Sequence, residues 1–134
     1  SRSGNMPAGR ERPQTTLGGN DIDSTRANYN WDGKYNTGDD FKQSRDVGQY
    51  AANPWGFYDM HGNVSEWCAD RYLFLLPRRP ETDPAGPTKG TTRVTRGGSW
   101  DFDGAGLRSA ARGHNAPGSR SNTLGFRVGF LPSK

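Results

Sequence analysis

Glycine, proline, asparagine and aspartate break this sequence so often that few helical patterns survive in it. There are 19 Gly and 9 Pro in 134 residues, with no collagen-like period and no exact internal repeat. The longest apolar patch, residues 72–77, is far short of the ~18 residues that a membrane span needs. Short segments of period-two alternation lie between clusters of turn residues. A chain punctuated in this way can build short strands and long loops, because Gly, Asn and Asp supply the backbone conformations that turns require.

The hydrophobic fraction is 30% and the mean hydropathy −1.00, values that lean toward disorder. The aromatic share, 11% with four Trp, argues for folding, since each ring can bury a large area. The expectation is one loop-rich domain with a small aromatic core. The net charge is +4 and the basic residues are spread out, whereas a nucleic-acid surface shows a clustered stripe. Cys68 is the sole cysteine, so neither an intrachain disulfide nor a Cys-based metal cluster can form. It leaves the redox compartment open.

Residues 1–26 are polar, lack a hydrophobic period and read as an arm. Residues 27–40, ANYNWDGKYNTGDD, set aromatics among Asn, Asp and Gly. Dense side-chain oxygens of this kind suit either Asx turns or calcium, which takes six to eight oxygen ligands. A strand is expected from Asn63, with Val64, Glu66 and Cys68 on one face and Ser65, Trp67 and Ala69 on the other. Glu66 among apolar neighbours needs an arginine or a cation. Residues 77–92, rich in Pro and Gly, read as a long loop. Further strands are expected over 92–96, 107–112 and 125–130, with loops at 101–106 and 113–123.

Three motifs then occur in order: NPWGFYDMHGNVSEW at 53–67, RGGSW at 96–100, and RSAAR at 108–112 leading to GFR at 125–127. This series resembles the sulfatase-modifying-factor family, to which formylglycine-generating enzymes belong. The resemblance covers residues 27–131 of a 27–134 domain that looks shortened on its amino-terminal side. It implies an α+β fold of C-type-lectin type, irregular, with short antiparallel strands and little helix.

The resemblance also implies calcium. One site would use Asp59, the carbonyls of Gly62 and Val64, and Glu66. A second would use Asn28, the Tyr29 carbonyl, and Asp39 or Asp40. Oxygen-only ligands agree with calcium. An arginine paired with Glu66 is the competing reading of the first site.

Oxidase members of the family hold copper on two cysteines just past the RGGSW segment, and copper(I) wants soft sulfur ligands. Here Phe102 stands at the first of those positions, and residues 97–134 contain no cysteine. His61 and His114 are the only side chains with an ordinary pKa near neutrality, and they lie far apart in sequence. His61 reads as structural. The sequence therefore leans away from catalysis and toward binding.

The loops around 101–106 and 113–123 carry Trp100, Asp101, Phe102, Asp103, His114, Asn115, Ser119, Arg120, Ser121 and Asn122. An aromatic anchor with adaptable polar groups suits a recognition surface. The arrangement is similar to the variable proteins of diversity-generating retroelements. Arg96, Arg108, Arg112 and Arg127 are expected to act as internal staples on carboxylates such as Asp70, with phosphate or sulfate binding as the alternative. The expected function is a non-catalytic, calcium-stabilised module for a protein or small-molecule ligand. A modifying-enzyme homologue, or the partner subunit of an active one, is the rival. A homodimer or partner chain is expected, because a shortened domain exposes apolar surface.

Overall fold

The computed structural model describes residues 22–30, 42–76, 82 and 86–129. Four strands form one sheet: β1 (Ser65–Arg71), β2 (Arg93–Arg96), β3 (Gly113–Asn115) and β4 (Leu124–Gly125). Their order across the sheet is β3-β2-β1-β4. β1 pairs antiparallel with β2 through Glu66↔Arg96, Trp67↔Thr95 and Arg71↔Arg93, and the register shifts between Trp67 and Arg71. β2 pairs antiparallel with β3, setting Val94 opposite His114. No helix occurs among the described residues, which are mostly loop.

Three sequence expectations change. The segment 107–112 is a series of turns, and the strand begins only at Gly113. Thr95 Oγ1 lies 2.6 Å from where a Cβ at residue 113 would stand, so glycine admits this close strand approach. The last strand is only Leu124–Gly125, and it runs parallel to β1, so the sheet is mixed rather than wholly antiparallel. Among the described residues the core holds one aromatic, Tyr29. The buried cluster is Ile22, Ala27, Tyr29 and Leu107, while Trp55 and Phe126 are 82% and 77% exposed. Residues 39, 40 and 130 lie outside the described set.

Buried polar groups carry much of the cohesion. Asn63 sits at their centre with a left-handed φ of 65°. Its N–H donates to the Asn28 carbonyl at 2.7 Å, and its carbonyl accepts from Trp100 N at 2.9 Å. Its side chain clasps the Arg45 backbone, accepting from N at 2.8 Å and donating to O at 3.1 Å. One residue thus ties three other chain segments to its own, through hydrogen bonds of the kind that is costly to leave unmade.

Tyr29 adds a pH dependence. It is 2% exposed and donates to the Ile22 carbonyl at 3.0 Å. Burial, aided by the Asp23 charge, pushes its phenol up to about 12 from 10.0. A raised folded-state value means that the unfolded chain ionises first. Stability from this group is therefore complete below pH 10 and lost as the pH climbs toward 12. Melting curves should fall over that window, and Tyr29→Phe should flatten the fall. An equal fall in the variant would assign it to other groups.

Candidate binding site

The segment 59–66 is shaped by backbone conformations rare for L-residues. Asp59, Gly62 and Asn63 all have positive φ, at 53°, 77° and 65°. Non-Gly residues visit that region seldom, Asn and Asp most readily. The bends gather Asp59, Gly62, Val64 and Glu66, all four expected ligands of the first metal site, around one cavity of about 340 Å³. Val47, Tyr58, Phe126 and Arg127 complete its wall.

Arg127 pairs with Glu66. Its Nε donates to both carboxylate oxygens, at 3.1 and 2.9 Å, and its Nη2 donates to Oε1 at 2.5 Å. Nη2 reaches the Asp59 carbonyl as well, at 3.3 Å. These bonds, the Glu66 hydrogen bond first, hold the guanidinium more firmly in its charged form. Asp59 Oδ2 accepts from Gly48 N at 2.6 Å. Among the described residues no three His, Cys, Asp or Glu side chains gather in one group.

Asn28, expected in the second metal site, is 2% exposed. Its Nδ2 donates to the Gln43 carbonyl at 2.8 Å, whereas its buried Oδ1 has no hydrogen-bond partner. His61 Nδ1 lies 2.6 Å from the Leu107 carbonyl, joining the two segments.

The expected ligand-facing residues separate. Phe102, His114 and Asn115 line a second cavity of about 400 Å³. Trp100 anchors its neighbouring loop, donating from Nε1 to the Asn122 carbonyl at 3.3 Å. Asp101 accepts from Ser99 Oγ, and Asp103 caps Gly106 N at 2.9 Å. Ser119, Arg120 and Asn122 are exposed outside the cavity lining. Tyr72 and Thr95 were missed by sequence reasoning. Tyr72 enters because β1 ends beside it, with His114 at 4.2 Å between ring centroids and the Arg112 guanidinium 4.9 Å from its ring. Period-two alternation signalled the strand but not its neighbour across the sheet.

Cys68 is half-buried in β1, and burial pushes its thiol pKa up, a change that opposes nucleophilic use.

Residues 6–129 match the sulfatase-modifying factor enzyme 1-like domain. The chain belongs to this sulfatase-modifying-factor family. The match starts inside the segment read as a polar arm. Family relatives include the formylglycine-generating enzyme of Mus musculus, 38% identical over 72% of this chain and 28% of its own length. The serine/threonine-protein kinase pkn1 of Chlamydia caviae is 38% identical over 81% of this chain, but only 16% of that protein. Among solved structures, Treponema denticola variable protein 1 superposes with a TM-score of 0.65 at 32% identity, covering 76% of this chain and 34% of that one. PvdO from Pseudomonas aeruginosa gives a TM-score of 0.63 at 30% identity, covering 76% and 38%. This family member therefore spans between 16% and 38% of the length of these relatives.

Proposed function

We propose that the chain is a non-catalytic ligand-binding module of the sulfatase-modifying-factor family, on a C-type-lectin-type fold and stabilised by calcium. The observation that carries the binding reading is Phe102. It stands where the resemblance puts a copper-binding cysteine, and its ring packs over Gly106, whose Cβ position lies 2.4 Å from Phe102 Cδ1. It also lines both cavities beside β2 and β3. An apolar ring offers copper no ligand. The likeness to the Treponema variable protein supports the same reading and its retroelement-type variant.

The residues fit calcium in their chemistry. Asn28 Oδ1 is a buried acceptor without a donor, a state that a cation relieves. Asp59, Gly62, Val64 and Glu66, the residues expected to supply oxygen ligands, line one cavity. At Glu66, calcium and the Arg127 guanidinium are alternative partners for one carboxylate. Calcium bound at these oxygens would contribute charge compensation and link the segments around residues 28 and 59–66.

Elemental analysis and melting curves on the full chain test this. Calcium bound to the folded state alone must raise the melting midpoint. The expected result is bound calcium, a lower midpoint in chelator, and no response to copper(I). Asn28→Ala should blunt the calcium response. A chain without calcium, indifferent to chelator, would overturn the calcium reading, and tight copper(I) binding would return the oxidase one. That rival, a modifying enzyme or its partner subunit, draws support from the 38% identity to the mouse enzyme.

A further inference from the structure

Of the four arginines expected as carboxylate staples, Arg127 takes Glu66 and the other three hold backbone carbonyls. Arg96 Nη1 donates to the Ala111 carbonyl, Arg108 Nε to that of Ala105 at 2.9 Å, and Arg112 Nη1 to that of Leu73 at 3.2 Å. A carbonyl orients a guanidinium but does not neutralise it, and each guanidinium has five N–H donors. Among the described residues the one ion pair is Arg127–Glu66.

These three positive charges converge. The 400 Å³ cavity adjoins one of about 280 Å³, and the two share Ser65, Thr95, Phe102, Arg112 and Gly113 in their walls. Arg96 and Arg108 line the smaller cavity, and His114 the larger. No Asp or Glu is among the described residues lining either. The flanking acids line neither cavity and are bonded elsewhere. Glu66, opposite Arg96 in the sheet register, is held by Arg127. Asp101 accepts from Ser99, and Asp103 from Gly106. Beside the charges lie ring faces, Phe102 and the Tyr72 ring under Arg112.

We infer that this double cavity binds a ligand bearing an oxyanion, a carboxylate or a phosphate, through Arg112 and Arg108 with Arg96 behind them. Preoriented guanidiniums favour such groups because their N–H forks match two acceptor oxygens at once. Three guanidiniums lining one cavity, with no Asp or Glu among the described residues of its wall, set up a positive field that an anion balances. The inference rests on the binding-module reading and adds the class of ligand.

Isothermal titration of the full chain at constant ionic strength tests it, with inorganic phosphate, triglutamate and triglutamine as probes. Binding of phosphate or triglutamate but not triglutamine is the expected result. Preference for phosphate points to phosphate esters as the source, and preference for triglutamate to acidic peptides. Affinity should fall about tenfold in Arg112→Gln, the scale of one charge-assisted hydrogen bond. Arg108 is exposed, so Arg108→Gln supplies the same test should the first variant not fold. Triglutamine binding as well as triglutamate would overturn the anion class and leave the binding module standing. Failure of both anions to bind, or binding untouched by either arginine change, would overturn the inference outright.

Discussion

Replacing Gly62 by alanine is expected to cost about 3–5 kcal/mol, enough to unfold much of a marginally stable domain. Two separate effects add. At φ 77° an alanine pays a steric penalty of roughly 1–2 kcal/mol for a left-handed conformation. Its Cβ would also lie 2.2 Å from the Asn28 carbonyl oxygen, a backbone atom that cannot swing aside. That oxygen is held by Asn63 N at 2.7 Å, so displacing it breaks the junction around Asn63. Gly56 separates the two effects. It has a similar φ of 82° with nothing within 4 Å of its Cβ position, so Gly56→Ala should lose only about 1 kcal/mol. Urea midpoints at constant slope measure both. Equal losses at the two positions would mean that the approach of Asn28 to Gly62 contributes nothing.

Leu107→Ala carries the second large effect, about 3 kcal/mol from lost burial plus the cavity left behind. Leu107 is 0% exposed and packs with Ile22, Ala27 and Tyr29. Its Cδ1 would lie 3.0 Å from a Cβ at residue 98, so glycine there brings the loop down onto the side chain. The core is small, and removing its central residue leaves few neighbours able to close in. Leu107→Met, which conserves volume, should cost under about 1.5 kcal/mol. Thermal melts of both variants check this, and a loss below about 1 kcal/mol for alanine would move the core elsewhere.

The competition at Glu66 bears on how stability and ligand binding are linked. Arg127 comes from just beyond β4, and it holds the Glu66 carboxylate in a fork while touching the Asp59 carbonyl. The pair is part-exposed, with side-chain exposures of 37% and 26%, so its direct contribution is modest. Under the proposed calcium reading, binding at Glu66 would require Arg127 to release the carboxylate. No Asp or Glu is among the described residues lining the basic cavities, which is what the proposed anion site rests on.

Much of this was legible in the residues. The strand around Glu66 and the short strand at 93–96 follow from alternation, which reports the pleat directly. Motif order identified the family before any coordinates. The absence of the copper cysteines is a plain fact of the chain. The need of Glu66 for a partner followed from the cost of desolvating a carboxylate. Alternation failed at 107–112 because Leu107 is buried by a turn rather than a strand, and burial alone produces the same pattern of residue types.

By itself, then, the sequence determined the family, the loop-rich strand character and the residue types available for a site, because these depend on local backbone preference and composition. Only the tertiary structure decided which arginine takes Glu66, that Arg96, Arg108 and Arg112 end on carbonyls, and that Tyr72 meets His114. Apart from Arg108 on Ala105, three residues away, those pairings join residues 15 to 61 positions apart. No local preference encodes the distant ones; they follow from sheet register and from the close approaches that Gly62, Gly98 and Gly113 permit.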